Sequence, residues 1–176
     1  MKTICKLMLC MAIAWLPMAA SSQASSNAPS LFPIGDWKVN KSLQGMYIAA
    51  TSNDSGAVAG ILCGIDSQRC DAYISVESTA CERGQTYPMM LNSSIGTFAI
   101  TTKCVVIGDA SFQFVNEFAA ARQAFESGGE IGFALPLKNG QFNVVGFSTA
   151  GATAAIREAM NLPAGQMKKS SILNET

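Results

Sequence analysis

The 176-residue chain contains no histidine, and only 14% of its residues are charged. Without histidine, a Ser-His-Asp catalytic triad cannot form, because its general base is an imidazole. The charged side chains are scattered singly, and no basic run precedes Lys168-Lys169 near the end of the chain. Nucleic-acid affinity depends on clustered Lys and Arg side chains that neutralise phosphates. Nucleic acid is therefore not an expected partner.

The chain also lacks an apolar run long enough to cross a bilayer, which takes about 20 helical residues. The run from Leu7 to Leu16 is shorter; Lys2 and Lys6 precede it and Ser22-Gln23-Ala24 follows it. This order of charged, apolar and small residues is typical of a secretory signal peptide rather than of a buried helix. We expect residues 1–24 to be a signal peptide cleaved near Ala24. The remainder is then periplasmic or secreted, with no integral membrane segment.

The role expected of the cysteines depends on this compartment. Cys5 and Cys10 lie in the expected signal peptide, which leaves Cys63, Cys70, Cys81 and Cys104. An even number of cysteines in an oxidising compartment predicts two disulfides. We prefer the pairs Cys63–Cys70 and Cys81–Cys104, although four cysteines allow three pairings. A tetrathiolate zinc site needs Cys-x₂₋₄-Cys spacing, which is absent, so we expect neither a metal nor a cofactor.

From Asp36 to Val115, short apolar and β-branched stretches alternate with Gly, Asn, Asp and Ser, a pattern typical of strands and turns. The expected strands are Trp37–Val39, Met46–Thr51, Val58–Ile65, Ala72–Val76, Tyr87–Leu91, Thr97–Ile107 and Phe112–Val115. Gly60 and Gly64 in the third of these indicate a bulge or a close backbone approach.

The C-terminal third predicts two short helices around a hairpin. Asn116–Phe125 is alanine-rich and helical in period, with Asn116 as its cap. Two strands flank Asn139-Gly140, which is typical of a type I′ turn. Ser148 or Thr149 is expected to cap a second helix, Ala150–Met160.

These elements predict a mainly β (α+β) domain, an antiparallel β-sandwich of six to eight strands with two short helices in its C-terminal third. The expected domain covers residues 32–163. A flexible leader, residues 25–31, precedes it and a disordered tail, residues 164–176, follows it. A chain of this length forms one domain with a substantial core.

Two short motifs carry a resemblance to a known family. Gly35-Asp36-Trp37 resembles the opening aromatic strand of the invasion-associated locus B family of exported bacterial proteins, and Gly146-Phe147-Ser148-Thr149-Ala150 resembles its closing motif. Members commonly place a cysteine soon after the opening tryptophan, where this chain reads Lys38-Val39-Asn40-Lys41. The resemblance implies a periplasmic or surface-associated β-rich domain without established catalytic residues.

Aromatic side chains on the expected strands are the candidate partner-contact residues, because a ring offers an apolar face with a polar handle. They are Trp37, Tyr47, Tyr73 and Tyr87. The alternative role for each of them is packing in the core. On these grounds we predict a non-enzymatic exported binding protein of the bacterial envelope or host-association type. Its expected partner is another protein of the envelope or the host.

Two other functions remain open: a small-ligand-binding module, and a glycan hydrolase that uses two carboxylates. Paired carboxyl groups can perform acid–base chemistry without histidine. The candidates are Asp54, Asp66, Asp71, Glu77 and Glu82. Ser148 occupies the place of a hydrolase nucleophile between a strand and a helix. It lacks a base, so a helix cap is the expected role, and we predict no catalytic residues.

Overall fold

The computed structural model describes residues 30–41, 45–64, 69–77, 81–137 and 140–161. The strands are β1 (Ser30–Ile34), β2 (Trp37–Lys41), β3 (Tyr47–Ser52), β4 (Val58–Cys63), β5 (Cys70–Ser75), β6 (Thr86–Ser93), β7 (Gly96–Ile107), β8 (Ala110–Val115), β9 (Glu130–Pro136) and β10 (Phe142–Ser148). The helices are α1 (Phe118–Glu126) and α2 (residues 152–161). The expected signal peptide, the tail 164–176 and Asp66 lie outside the described residues.

All ten of these strands belong to one antiparallel sheet with the order β1-β2-β3-β4-β5-β8-β7-β6-β9-β10. The mainly β class with two short helices in the C-terminal third is confirmed. The described strands form one continuous sheet of ten, where a sandwich of six to eight strands was expected, and β1 was not among the predicted strands. This strand begins at Ser30, inside the segment expected to be a leader. From β1 to β5, neighbouring strands in the sheet are also consecutive in the chain. This ends at β5, whose next neighbour in the sheet is β8.

The two faces of the sheet differ in burial because successive strand residues point to opposite sides. In β3 the burial alternates, so that Tyr47, Ala49 and Thr51 are buried while their neighbours are not. The buried face forms the core together with Ala121, Ala124 and Phe125 of α1 and with residues of α2, among them Ile156. We call this buried side the inner face and the opposite side the outer face.

The two ends of the sheet approach each other. The Trp37 indole N–H donates to the Ser148 carbonyl oxygen at 3.0 Å, and the Asp36 N–H donates to the Ala150 carbonyl oxygen at 2.9 Å. On the inner face the Trp37 ring meets Phe125 edge-on, with 5.3 Å between ring centroids. The sheet therefore curls around α1, and the two sequence motifs that resemble the invasion-associated locus B family lie against each other.

Glycines allow this closure. Gly35 and Gly151 both have positive φ, at 60° and 90°. A Cβ at Gly151 would overlap the Ile34 carbonyl, and one at Gly35 would overlap the Ala150 carbonyl. A third close approach occurs in β4, where a Cβ at Gly60 would overlap the Ala49 carbonyl. The close backbone approach expected at Gly60 is thus confirmed.

Both disulfides form as predicted. Cys63 and Cys70 are directly opposite each other on β4 and β5, with 4.1 Å between their Cα atoms. Cys81 is joined to Cys104 in β7 across 5.8 Å. Two disulfides indicate an oxidising, non-cytoplasmic environment. Neither of the described helices combines the length and the apolarity needed to cross a bilayer.

The start of α1 differs from expectation. Asn116 does not cap the helix, because its amide donates to the Thr101 hydroxyl at 2.8 Å. Glu117 occupies the N-cap position without a side-chain cap, since its carboxylate accepts from the Thr101 backbone N–H at 2.8 Å and from its hydroxyl at 3.0 Å. Partial burial alone would raise the Glu117 pKa, but these hydrogen bonds outweigh it and lower the pKa below 4.5. Both side chains therefore tie α1 to β7.

The turn between β9 and β10 and the start of α2 also differ from expectation. The Gly140 N–H donates to the Leu137 carbonyl, so Gly140 (φ 80°) is the fourth residue of its turn and not a central one of a type I′ turn. Asn139 lies outside the described residues. The helix α2 begins at residue 152, later than expected, because Ser148 accepts from the Ala150 N–H and the Thr149 hydroxyl donates to the Gly129 carbonyl.

Candidate functional site

The outer face carries an aromatic cluster that crosses from β5 to β8. Tyr73 pairs directly with Phe114, and its ring lies 6.1 Å from the Phe114 ring and 5.9 Å from the Phe112 ring, between centroids. On the other side Tyr73 faces Gly60, which has no side chain to displace the ring. Tyr73 is only 7% exposed, and this burial raises its pKa to about 12. The phenol is therefore neutral over the whole physiological pH range.

A groove of about 530 Å³ lies on one side of this cluster. Tyr73 and Phe112 supply its aromatic surface, Val58 adds an aliphatic one, and Glu77 and Asp109 add two carboxylates. Glu77 follows β5, and Asp109 lies in the turn between β7 and β8. The described residues that line this groove include no basic side chain. We call it the acidic groove.

A second groove, of about 490 Å³, lies on the Phe114 side of the cluster. Lys103 and Arg69 line it together with Asp71 and with the apolar side chain of Leu62. Lys103 is the direct partner of Phe114 in the β7–β8 pairing, so it stands beside that ring on the outer face. The aromatic cluster therefore separates one acidic groove from one of mixed charge.

A different kind of surface occurs at β10, which ends the sheet. Two hydrogen bonds show which residue pairs of the β9–β10 ladder are bonded. The Leu137 N–H donates to the Gln141 carbonyl, and the Thr149 N–H donates to the Gly129 carbonyl. In an antiparallel ladder, bonded and non-bonded pairs alternate. The backbone groups of Phe142 and Val144 therefore point away from β9. Their side chains are 59% and 69% exposed.

The same alternation directs the backbone of Gly146 and Ser148 outward. The carbonyl oxygens of these two residues accept from the Asn53 side-chain amide at 3.1 Å and from the Trp37 indole. The C-terminal half of the β10 edge is thus occupied by contacts within the molecule. Within the part of the chain that the structure describes, no hydrogen bond is made to the outward backbone groups of Phe142 and Val144, and we call the edge at these two residues the free edge.

The predicted partner-contact residues lie in different environments. Trp37 and Tyr47 are 0% and 1% exposed, so they pack in the core and cannot touch a partner of the folded domain. Expecting them to make such contacts was wrong, because inward-facing and outward-facing aromatic residues have the same sequence pattern. Tyr87 is half-buried, and its hydroxyl accepts from the Glu82 N–H at 2.9 Å. Tyr73 lines the acidic groove.

The four predicted carboxylates that the structure describes do not share either of these two grooves. Asp54, Asp71, Glu77 and Glu82 are exposed, whereas Asp66 lies outside the described residues. Glu77 lines the acidic groove and Asp71 lines the mixed one. The carboxylate that shares a groove with Glu77 is Asp109, which was not among the candidates. Ser148 does not cap α2 as expected, because its hydroxyl accepts from the Ala150 N–H, which precedes the helix.

Several surface residues were missed by sequence reasoning: Asp109, Phe112, Phe114, Phe142 and Val144. Phe112 and Phe114 are two positions apart in an expected strand, a spacing that places both rings on one face. This spacing was a usable signal. No sequence signal pointed to Asp109, which follows a glycine in a turn, because its proximity to Glu77 depends on the pairing of β5 with β8.

The fold defines a class of protein: a disulfide-linked, mainly antiparallel β domain closed by two C-terminal helices. No family model matches the chain, and no curated protein matches it. Among solved structures it is similar to invasion associated protein B from Bartonella henselae, with a TM-score of 0.52 and 14% sequence identity. The similarity covers 74% of this chain and 96% of that one. It confirms, at the level of the fold, the resemblance expected from the two motifs.

Proposed function

We propose that the protein is an exported, non-enzymatic binding protein of the envelope or host-association type, which takes a strand of a partner protein at the free edge of β10. The two disulfides support a location outside the cytoplasm, in the periplasm or beyond it. The structural neighbour is an invasion associated protein, which is compatible with host association. The binding surface is assigned from the structure of the β10 edge.

The observation that carries the proposal is the coincidence of two properties at Phe142 and Val144. Each combines an exposed apolar side chain with outward-facing backbone groups. Sheet edges are usually protected by charged residues, by proline or by a bulge, because a bare edge pairs with other chains. The strand β10 reads Phe-Asn-Val-Val-Gly-Phe-Ser and contains neither proline nor a charge.

The opposite end of the sheet is built differently. The strand β1 contains Pro33, which has no N–H to offer to another strand. A proline-free edge at β10 and a proline at β1 are the arrangement expected when one edge is used and the other is protected. An added strand would donate to and accept from the backbone groups of Phe142 and Val144, while its alternate side chains contact the side chains of these two residues.

The partner can be sought with a photo-crosslinking residue at position 144 in the disulfide-intact protein, exposed to envelope or host-cell extracts. The crosslinked protein is then purified and titrated against the wild-type domain. We expect its binding to protect the Phe142 and Val144 amides from hydrogen exchange. We expect Val144→Lys to weaken binding about tenfold, a change of about 1.4 kcal/mol.

The matched control is Ile95→Lys, which introduces the same charge at an exposed apolar residue in the β6–β7 turn. It is expected to leave binding unchanged. A second variant, Val144→Pro, removes one outward-facing N–H without removing a β9–β10 hydrogen bond. Tight binding without protection of the β10 amides, and with equal affinity for Val144→Lys, would exclude strand addition at this edge.

A further inference from the structure

We propose a second binding site, separate from the β10 edge: the acidic groove holds the ammonium or guanidinium group of a lysine or arginine side chain in a peptide. The aliphatic stem of that side chain lies along Tyr73 and Phe112, and its charged head lies between Glu77 and Asp109. This assignment does not depend on strand addition, because the acidic groove and the free edge are on different strands.

The charge of the groove selects a cation. Both of its carboxylates are exposed at the rim, and the described lining residues contain no basic side chain that would neutralise them. The chain as a whole has equal numbers of acidic and basic residues, twelve of each. A local excess of two negative charges is therefore a property of this groove and not of the overall composition. Anionic ligands such as phosphates are disfavoured there.

The Tyr73 hydroxyl adds a polar group to the lining of the groove. Tyr73 is more than nine-tenths buried and lines the groove. Its hydroxyl has no hydrogen-bond partner among the described residues, but it is not enclosed, so water or a ligand can reach it. A hydroxyl in this position can pair with a polar group that enters the groove. Because its pKa is about 12, the neutral phenol keeps an oxygen that can accept from an N–H donor. An ammonium or guanidinium group supplies such donors.

The shape and polarity of the lining favour an organic cation over a metal ion. Ca²⁺ takes 6–8 oxygen ligands, and the described residues contain no cluster of three metal-ligating side chains. The groove instead offers two aromatic rings and Val58. Ring faces attract cations and also pack against methylene groups. A long side chain with an apolar stem and a cationic end matches both parts of the lining.

The test uses the full disulfide-intact protein and three capped tripeptides: acetyl-Gly-Lys-Gly amide, the arginine equivalent and the norleucine equivalent. Norleucine keeps the aliphatic stem and removes the charge. Nuclear magnetic resonance titration reports both affinity and location. We expect the lysine or arginine peptide to shift the Tyr73 ring signals and to bind at least about tenfold more tightly than the norleucine peptide, a difference of about 1.4 kcal/mol.

The double variant Glu77→Gln, Asp109→Asn is expected to lose most of this binding. Glu130→Gln changes one exposed carboxylate on β9 in the same way and is the control. Val144→Lys should leave peptide binding intact, which separates this site from the proposed strand-addition edge. Three results would overturn the assignment: equal binding of the norleucine peptide, equal loss in Glu130→Gln, or binding of a free polyamine but not of the peptides.

Discussion

The indole N–H of Trp37 donates a hydrogen bond of 3.0 Å to the carbonyl oxygen of Ser148, a residue 111 positions later in the chain. Trp37 is fully buried, and its ring packs edge-on against Phe125 of α1. One side chain therefore joins an early strand, a helix and the last strand of the sheet. The polar atom of the indole is satisfied without water, so this tryptophan can lie at the centre of the core.

Trp37→Phe is expected to destabilise the domain by about 2–4 kcal/mol. The substitution leaves a cavity beside Phe125 and removes the hydrogen-bond donor of the Ser148 carbonyl. Urea unfolding followed by circular dichroism measures the change. Phe142→Leu alters an exposed aromatic residue and should shift the free energy of unfolding by less than about 0.5 kcal/mol. Similar losses in the two variants would contradict the central role of Trp37.

Gly151→Ala is expected to destabilise more than Gly128→Ala. Both glycines have positive φ, at 90° and 80°, so each substitution introduces a backbone penalty of about 1–2 kcal/mol. Only Gly151 also faces another backbone, because a Cβ there would overlap the Ile34 carbonyl, whereas space is open around Gly128. Thermal unfolding of the two variants separates the steric part from the conformational part. Equal melting temperatures would show that the closure tolerates a methyl group.

Replacing the Cys81–Cys104 pair by alanines is expected to cost more stability than replacing the Cys63–Cys70 pair. On the chain-entropy model the longer loop gives about 3.4 kcal/mol and the shorter one about 2.5 kcal/mol. The shorter loop is also closed by the β4–β5 ladder, which ends at the Cys63 and Cys70 pair. Denaturant midpoints of the two double variants test the order. A larger loss for the Cys63–Cys70 variant would contradict it.

The stability of the domain is expected to fall as the pH rises from 10 towards 12, in part because of Tyr73. Its pKa is raised by burial to about 12 in the fold and is near 10 in the unfolded chain. The unfolded state therefore loses this proton first, and deprotonation favours unfolding above pH 10. Tyr73→Phe should reduce the alkaline loss of stability. The tyrosinate absorbance of the folded wild type should show one late-titrating group that the variant lacks.

Most strands and both disulfides of this chain were readable from its sequence, whereas the cap of α1 and the type of the β9–β10 turn were not. Alternating apolar residues mark the inner face of strands such as β3, and Cys63 and Cys70 lie opposite each other on neighbouring strands. What alternation does not encode is which strands become neighbours. The pairing of β5 with β8 carries Tyr73 to Phe112 and Glu77 to Asp109, and it bypasses two intervening strands. The acidic groove was therefore invisible before the sheet order was known.

The aromatic residues illustrate the same limit. Trp37 and Tyr73 both lie on strands, yet one is a central core residue and the other lines an outer groove. Two facts distinguish them: which face the helices cover, and whether the opposite residue is small. Gly60 leaves room beside Tyr73, while Phe125 covers Trp37. Both facts are long-range, so a single sequence window cannot contain them.

The hydrogen bond between Trp37 and Ser148 also affects when the domain can fold. Synthesis runs from the N-terminus, so β2 emerges long before the carbonyl it requires exists. Contacts between residues far apart in sequence slow folding. For a protein exported as proposed, this delay keeps the chain unfolded, and therefore able to pass through an export channel, until nearly the whole domain has been made. A chain truncated before Ser148 is accordingly expected to leave the β2 and β3 amides unprotected against hydrogen exchange, with the final strand acting as the step that completes folding.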